Sequence, residues 1–470
     1  MGLVAAILES LRRTVLLRYL RCLLFSFMVW QPSRSPPGRP NRQKNAARPA
    51  VAPYHQMRLA AVSDAPVPIP WFIRAWKFDT LSDAMVPQSY YRCWVEVDLD
   101  ALRNNTVAIR RRVRPETKLM AVVKADAYGH GLSQIGAVLM QSGVDAFAIA
   151  NLSEALQLRH IGGSGWPILL FGSALSFEVA TIVEQNIMPT VSTIEEARGF
   201  EEEAARQNKE LSVQVEVDTG MGRVGFWHEE AVARIRELAA FPHLKIGGMY
   251  THFPLADENV KETRRELDAF LRVVDQLRQS GVKVPLLHAA NSAALLNVPE
   301  ATLDMVRPGL LLYGICPAGC QADDFSPVLS FKARVAFVKK AAAGRAISYG
   351  QTFVAPRPMK IATVAAGYGD GFSRTLSNGA EVLIGGRRCR VVGRVTMDQV
   401  MVDVTALPSV NSGDEVVFIG RQICPDNVGE ESKITASEMA AWADTIAWEI
   451  LCSITKTARV PRIYHGVSAA

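Results

Sequence analysis

The stretch Leu119-Met-Ala-Val-Val-Lys124-Ala-Asp-Ala-Tyr128-Gly-His-Gly131 decides the fold. Five apolar residues run into a lysine, and a glycine-rich loop follows, as when a buried parallel strand opens into a functional loop. Outward from it the pattern recurs: further apolar runs occupy Asp145–Ala150, Pro167–Gly172, Ile187–Ser192, Leu211–Asp218, Ile246–Phe253, Leu286–Asn291 and Asp304–Arg307. Amphipathic stretches such as Ile194–Gln207, Glu229–Ala240 and Glu258–Ser280 lie between them, with apolar residues at three- and four-residue intervals. With Leu119–Lys124 there are eight βα repeats, which predict an α/β fold of the (β/α)8 TIM-barrel type rather than an open doubly wound sheet.

Beyond Asp323 the texture turns β-rich. Ser330–Lys339, Lys360–Ala365, Arg390–Val395, Val400–Val404 and Glu415–Ile419 read as strands separated by Gly-Gly, Ser-Gly-Asp and Pro-containing turns, with one helix from Ala436 to Glu449. A mainly antiparallel β domain is expected there, joined by an early strand at Cys93–Asp98. The expected divisions are 1–90, a basic, Pro-rich and disordered extension; 91–322, the barrel; and 323–470, the β domain.

The first 60 residues hold ten Lys/Arg and one acid, giving +9 of a total of +6, so the rest of the chain carries −3. A basic tail on a mildly acidic body is no nucleic-acid footprint, which requires a basic face on the folded part. Leu3–Trp30 is apolar but broken by Glu9, Arg12, Arg13, Arg18 and Arg21, so no transmembrane span is expected. Met57 or Met85 is the expected true start of translation. The seven scattered cysteines fit a reducing, cytoplasmic compartment, and the lone Cys316-x-x-x-Cys320 has none of the paired spacing of a zinc site; no metal is expected.

In a (β/α)8 barrel, functional groups sit where strands end. A strand-ending lysine is ordinarily a solvated cation, but Lys124 held in a barrel mouth would lose amine pKa to desolvation and become a nucleophile toward a carbonyl carbon. Glu216 and Asp218 fall on one side of their strand by period-two alternation, and Arg223 can supply the cation they need. His252 ends run six, where a lone histidine is more often a satisfied core residue. Ser292 and the amides around Gly309 follow strands seven and eight, the usual phosphate site of this fold.

The segments Ala121–Gly131, Asp218–Gly225, Thr251–Phe253, Asn291–Ala293, Arg307–Gly309, Ser348-Tyr349-Gly350, Gly367-Tyr-Gly-Asp-Gly371, Met397-Asp-Gln399 and Arg459-Val-Pro-Arg462 together resemble the alanine racemases of the fold-type III pyridoxal-phosphate family. The resemblance runs from Trp94 to Tyr464. It implies pyridoxal 5′-phosphate on Lys124, with Lys124 and Tyr349 as the two acid–base groups on opposite faces of the substrate α-carbon. Tyr349 then needs nearby positive charge to act as a base, and His252 and Arg307 are the expected suppliers. Arg307 is implied to face the pyridine nitrogen; Tyr128, Ser292, Gly309 and Leu310 to hold the phosphate; and Arg223 and the Met397 amide to hold the substrate carboxylate. Tyr368 is implied to narrow the access, and Glu216 and Asp398 to support the site. Family members often carry a carbamylated lysine where Glu216 stands, so glutamate is expected to supply that negative charge unmodified, steadying Arg223. Many carry a phosphate-binding tyrosine where Ala458 stands, and alanine has no hydroxyl with which to make that contact.

Tyr349 and Met397 fall in the β domain and Lys124 in the barrel, and the family pattern implies a head-to-tail homodimer acting on a small amino acid. A broad-specificity or serine racemase would use the same parts. A decarboxylase of this fold type would want an acid, not Arg307, at the pyridine nitrogen. A non-catalytic cofactor-binding protein would have no use for Tyr349 or the β domain.

Overall fold

Period-two alternation sorts the first barrel run into two layers. Leu119, Ala121 and Val123 join the apolar layer beneath the helices. Met120 and Val122 turn the other way, into a separate cluster with Ala146, Ala148, Leu169, Tyr250 and Met305. The computed structural model describes residues 90–317, 319–320, 322–424, 431–456 and 459–466. The expected extension before Tyr90, the proposed starts Met57 and Met85, and Ala458 lie outside the described residues.

In chain order the strands are β1 (Cys93–Asp98), β2 (Lys118–Val122), β3 (Ala146–Ile149), β4 (Ile168–Leu170), β5 (Met188–Val191), β6 (Leu211–Asp218), β7 (Phe226–Trp227), β8 (Leu244–Tyr250), β9 (Leu287–His288), β10 (Met305–Val306) and β11 (Leu329–Ala341). Strands β2 to β6 and β8 to β10 pair in parallel in the order β5-β4-β3-β2-β10-β9-β8-β6, and a β5–β6 pairing closes the ring. The eight expected runs are the eight barrel strands. The helices between them start on side-chain caps: Asn151 Oδ1 accepts from Glu154 N, Thr193 and Glu196 form a reciprocal capping box, and Asn259 Oδ1 accepts from Glu262 N.

Strand β11 is the hub of the second, mainly antiparallel sheet. It pairs antiparallel with β1, with Met359–Val364 and with Glu415–Ile423. On its other side β1 pairs in parallel with Arg462–His465, so the first strand of the described chain lies between β11 and its last.

Two expectations here need correction. In place of a strand at Arg390–Val395, Arg387–Arg390 pairs with Glu381–Ile384 across Gly385-Gly386, both at positive φ (58° and 71°) as a two-residue hairpin turn requires. The single helix Ala436–Glu449 is two, Ala436–Ala443 and Ala447–Ile454, because Asp444 takes left-handed backbone (φ 56°) and ends the first. Among the described residues, no helix is long and apolar enough to cross a membrane.

Candidate active site

The strand β2 does not lead into an ordinary loop. Ala125, Asp126, Ala127 and Tyr128 all take left-handed backbone (φ 52–54°), a conformation costing non-glycine residues about 1–2 kcal/mol each. Such strain persists only where the surroundings over-determine it. The turn has Lys124 at its start and Tyr128 at its end, and both line a cavity of about 510 Å³ at the C-terminal mouth of the barrel. Burial, then the neighbouring Arg223, lowers the Lys124 amine below the ordinary lysine range.

Arg307 enters the same cavity from below and is almost wholly buried, at 2% exposure. Its guanidinium donates from Nη2 to the Thr251 and Ala289 carbonyls (2.7 and 3.0 Å) and from Nη1 to His288 Nδ1 (3.0 Å). The acceptor state of Nδ1 follows if His288 Nε2 carries the proton and donates to Gln214 Oε1, 3.1 Å away. Arg307 also lies 5.0 Å from the centroid of the Tyr250 ring, which stacks on His288. Burial lowers the guanidinium only to about 10, so it keeps its proton at neutral pH.

At the opposite end, Ser292 Oγ accepts from Gly309 N (3.0 Å) and Leu311 N (3.3 Å), leaving its own O–H to donate into the cavity. The Gly309 amide, expected to point at a phosphate, thus already has an acceptor. Leu310 also lines the cavity. A Cβ on Gly309 would stand 2.8 Å from Tyr128 Oη, so glycine is what lets that phenol approach the backbone.

The two carboxylates of β6 are both buried. Asp218 accepts from the backbone N–H groups of Gly220 (2.9 Å) and Arg223 (3.2 Å) and so fixes the loop carrying Arg223. Among the described residues Arg223, which lines the cavity, makes no direct ion pair with either carboxylate, but its charge acts on Glu216 and lowers that carboxyl against the larger upward push of burial. Glu216 lies beside Tyr250, and burial pushes its carboxyl up to about 7. It is therefore only partly ionised at neutral pH rather than a fixed anion. His252 likewise departs from expectation. Burial, then Arg307, Arg223 and Lys124, hold it down to about 3, so it is neutral and adds no positive charge.

The β-domain residues lie elsewhere. Tyr349 is 71% exposed, Met397 52% and Tyr368 44%, and none of them lines the cavity of its own chain. Tyr349 is held by a strained turn: Ser348 sits at φ 66°, ψ −179°, with its Oγ donating to Arg394 O (2.6 Å). The neighbouring segments lock together, with Gly369 N donating to Met397 O (2.8 Å) and Asp398 paired with Arg459 (2.6 Å).

The family model for the alanine racemase N-terminal domain matches residues 97–317, and that for the C-terminal domain matches 328–464. The chain belongs to the alanine racemase family. The alanine racemase of Halothermothrix orenii is 41% identical over 376 residues, 79% of this chain and 97% of the relative. Among solved structures, the alanine racemase of Bacillus anthracis with bound L-Ala-P superposes with a TM-score of 0.73 at 35% identity, covering 80% of this chain and 96% of that one. The alanine racemase of Bartonella henselae with covalently bound pyridoxal phosphate gives 0.72 at 28% identity, covering 80% and 99%. Pyridoxal-phosphate-dependent racemisation of an amino acid is the chemistry of the alanine racemase family.

The cavity suits that cofactor on its own chemistry. An amine of lowered pKa matches an aldehyde, a protonated buried guanidinium matches a ring nitrogen that stays unprotonated, and the hydroxyls of Ser292 and Tyr128 match phosphate oxygens. Three contributors were missed from the sequence. Trp448, from the helix Ala447–Ile454, lines the cavity, and its apolar periodicity marks it only as core. Gln214 and His288, buried inside the barrel, look like strand interior residues until Arg307 is placed above them. The left-handed turn has no signal beyond Gly129 and Gly131 next to it.

Proposed function

We propose that the chain interconverts L- and D-alanine with pyridoxal 5′-phosphate held on Lys124, and that Lys124 and Tyr349 move the α-proton from opposite faces. The observation that carries this is the meeting of Lys124, Arg307 and Ser292 in one cavity at the strand ends of the barrel. When bound, the cofactor withdraws electrons from the α-carbon and makes its hydrogen removable. Lys124 Nζ, with its lowered pKa, takes or returns that proton on one face. Arg307 keeps its own proton and would hold the ring nitrogen as a donor only, so the cofactor would supply a weak electron sink that favours return of the proton to Cα. Tyr128 and Ser292, with the segment Gly309–Leu310, hold the phosphate; Arg223 and the Met397 amide hold the substrate carboxylate.

Tyr349, Tyr368, Met397 and Asp398 then act in trans. Their exposure and their absence from the cavity of their own chain support a head-to-tail homodimer in which each β domain closes the partner's barrel mouth. The product role proposed is supply of D-alanine for cell-wall peptidoglycan in the cytoplasm. The test is α-hydrogen exchange in D2O with each alanine enantiomer. Wild type should exchange both and show a visible cofactor band, and Lys124→Ala should lose band and exchange. A Tyr349→Phe variant exchanging both enantiomers at the wild-type rate would sink the two-base assignment.

A further inference from the structure

Arg459-Val-Pro-Arg462 takes no part in the chemistry above. Its last residue opens the strand Arg462–His465, yet the Arg462 side chain leaves the sheet for the barrel. Its Nη2 lies 2.5 Å from Asp126 Oδ2, and its Nε donates to Gly129 O (2.9 Å). Two residues on, Tyr464 Oη donates to His130 O (3.1 Å). From the barrel side, Asp126 Oδ1 accepts from Leu132 N (2.7 Å) and Asp126 N donates to Glu154 Oε1 (3.3 Å). These bonds hold the strained left-handed turn at Asp126 and pin the residues that leave it, Gly129, His130 and Leu132.

Such a turn does not hold itself, because relaxation of even one of its four residues to right-handed backbone would swing both side chains. The Arg462–Asp126 pair is part-exposed, with side-chain exposures of 22% and 46%, and as an isolated ion pair it would add little. Its weight comes from geometry: one planar guanidinium grips a side chain and a backbone carbonyl three residues apart, which fixes the path between them. We propose that Arg462 is a positioning residue that keeps the turn left-handed, and with it the Lys124 amine and Tyr128 hydroxyl aimed into the cavity. This rests on Lys124 being the residue that carries the cofactor.

The test uses the full chain as wild type, Lys124→Ala, Arg462→Met, Arg462→Lys, Asp126→Asn and the double variant Arg462→Met with Asp126→Asn. Pyridoxal phosphate is titrated into cofactor-stripped protein by its visible band, and kcat, KM for alanine and the Tm of the stripped protein are measured. Arg462→Met should weaken cofactor binding at least about tenfold and lower kcat more than it changes KM. Arg462→Lys should restore part of the loss and Asp126→Asn should reproduce it, with the double variant no worse than the poorer single one. Should Arg462→Met fail to fold, Asp126→Asn alone decides. Cofactor binding within about twofold of wild type and unchanged kcat in these variants would overturn the proposal, as would a fall in Tm with affinity intact. A wild type with no band, or a Lys124→Ala that keeps it, would instead bring down the cofactor assignment itself, and the clamp with it.

Discussion

Glu216 illustrates how burial sets the state of a single residue. It is 2% exposed, and its carboxyl is raised from 4.5 to about 7 chiefly by desolvation. A group whose folded pKa lies above its unfolded one gives stability that is complete below the unfolded value and is lost as pH rises through the folded value. Glu216 should therefore make the fold less stable between about pH 4.5 and 7, by up to about 3 kcal/mol. Glu216→Gln, which keeps the shape and an acceptor for Tyr250, should match or exceed wild type in urea-melt stability at pH 8, with the advantage gone at pH 4.5. An advantage that does not change with pH would show that Glu216 does not titrate in this range. The charge at this site thus depends on pH, where the sequence alone suggested a constant one.

Among elements, the left-handed turn after β2 is the most constrained piece of the site. Gly129 ends it at φ 82°, and a Cβ there would stand 2.7 Å from the backbone carbonyl of Leu451, which has no side-chain freedom with which to yield. Gly129→Ala should cost about 2–4 kcal/mol and lower Tm, and it should also weaken cofactor binding because the displaced turn carries Lys124. An alanine variant with wild-type Tm would mean that the turn is not tightly packed there. The eight barrel strands were legible because each is a short apolar run followed by a helical stretch, and the polar residues at or just beyond the ends of four of them are Lys124, His252, Ser292 and Arg307. The hairpin strand Arg387–Arg390 was not, since three of its four residues are arginines and show no apolar alternation. Neither was the handedness of Ala125–Tyr128, where tertiary contacts override what alanine prefers by itself. Tyr349, Tyr368, Met397 and Asp398 were reached only through family motifs, because nothing local distinguishes a surface tyrosine from one meant for another chain.

For the whole molecule, the division of groups between barrel and β domain predicts complementation. Lys124→Ala and Tyr349→Ala should each be nearly inactive alone. Unfolded together and refolded as a mixture, they should recover about a quarter of wild-type activity, because half of the randomly formed dimers would hold one intact site. No recovery, with mixed dimers shown to form, would place both groups in one chain. The path of the chain has a further consequence, for synthesis. Strand β1 emerges from the ribosome before the barrel, but its neighbours β11 and Arg462–His465 follow the barrel. At ordinary elongation rates, Val95 and Val97, both wholly buried when finished, must wait on the order of tens of seconds for their last neighbour. Nascent chains stalled just short of Arg462 would therefore carry a complete barrel and a β1 paired to β11 on one side, with its other edge still open to a chaperone or to a second chain.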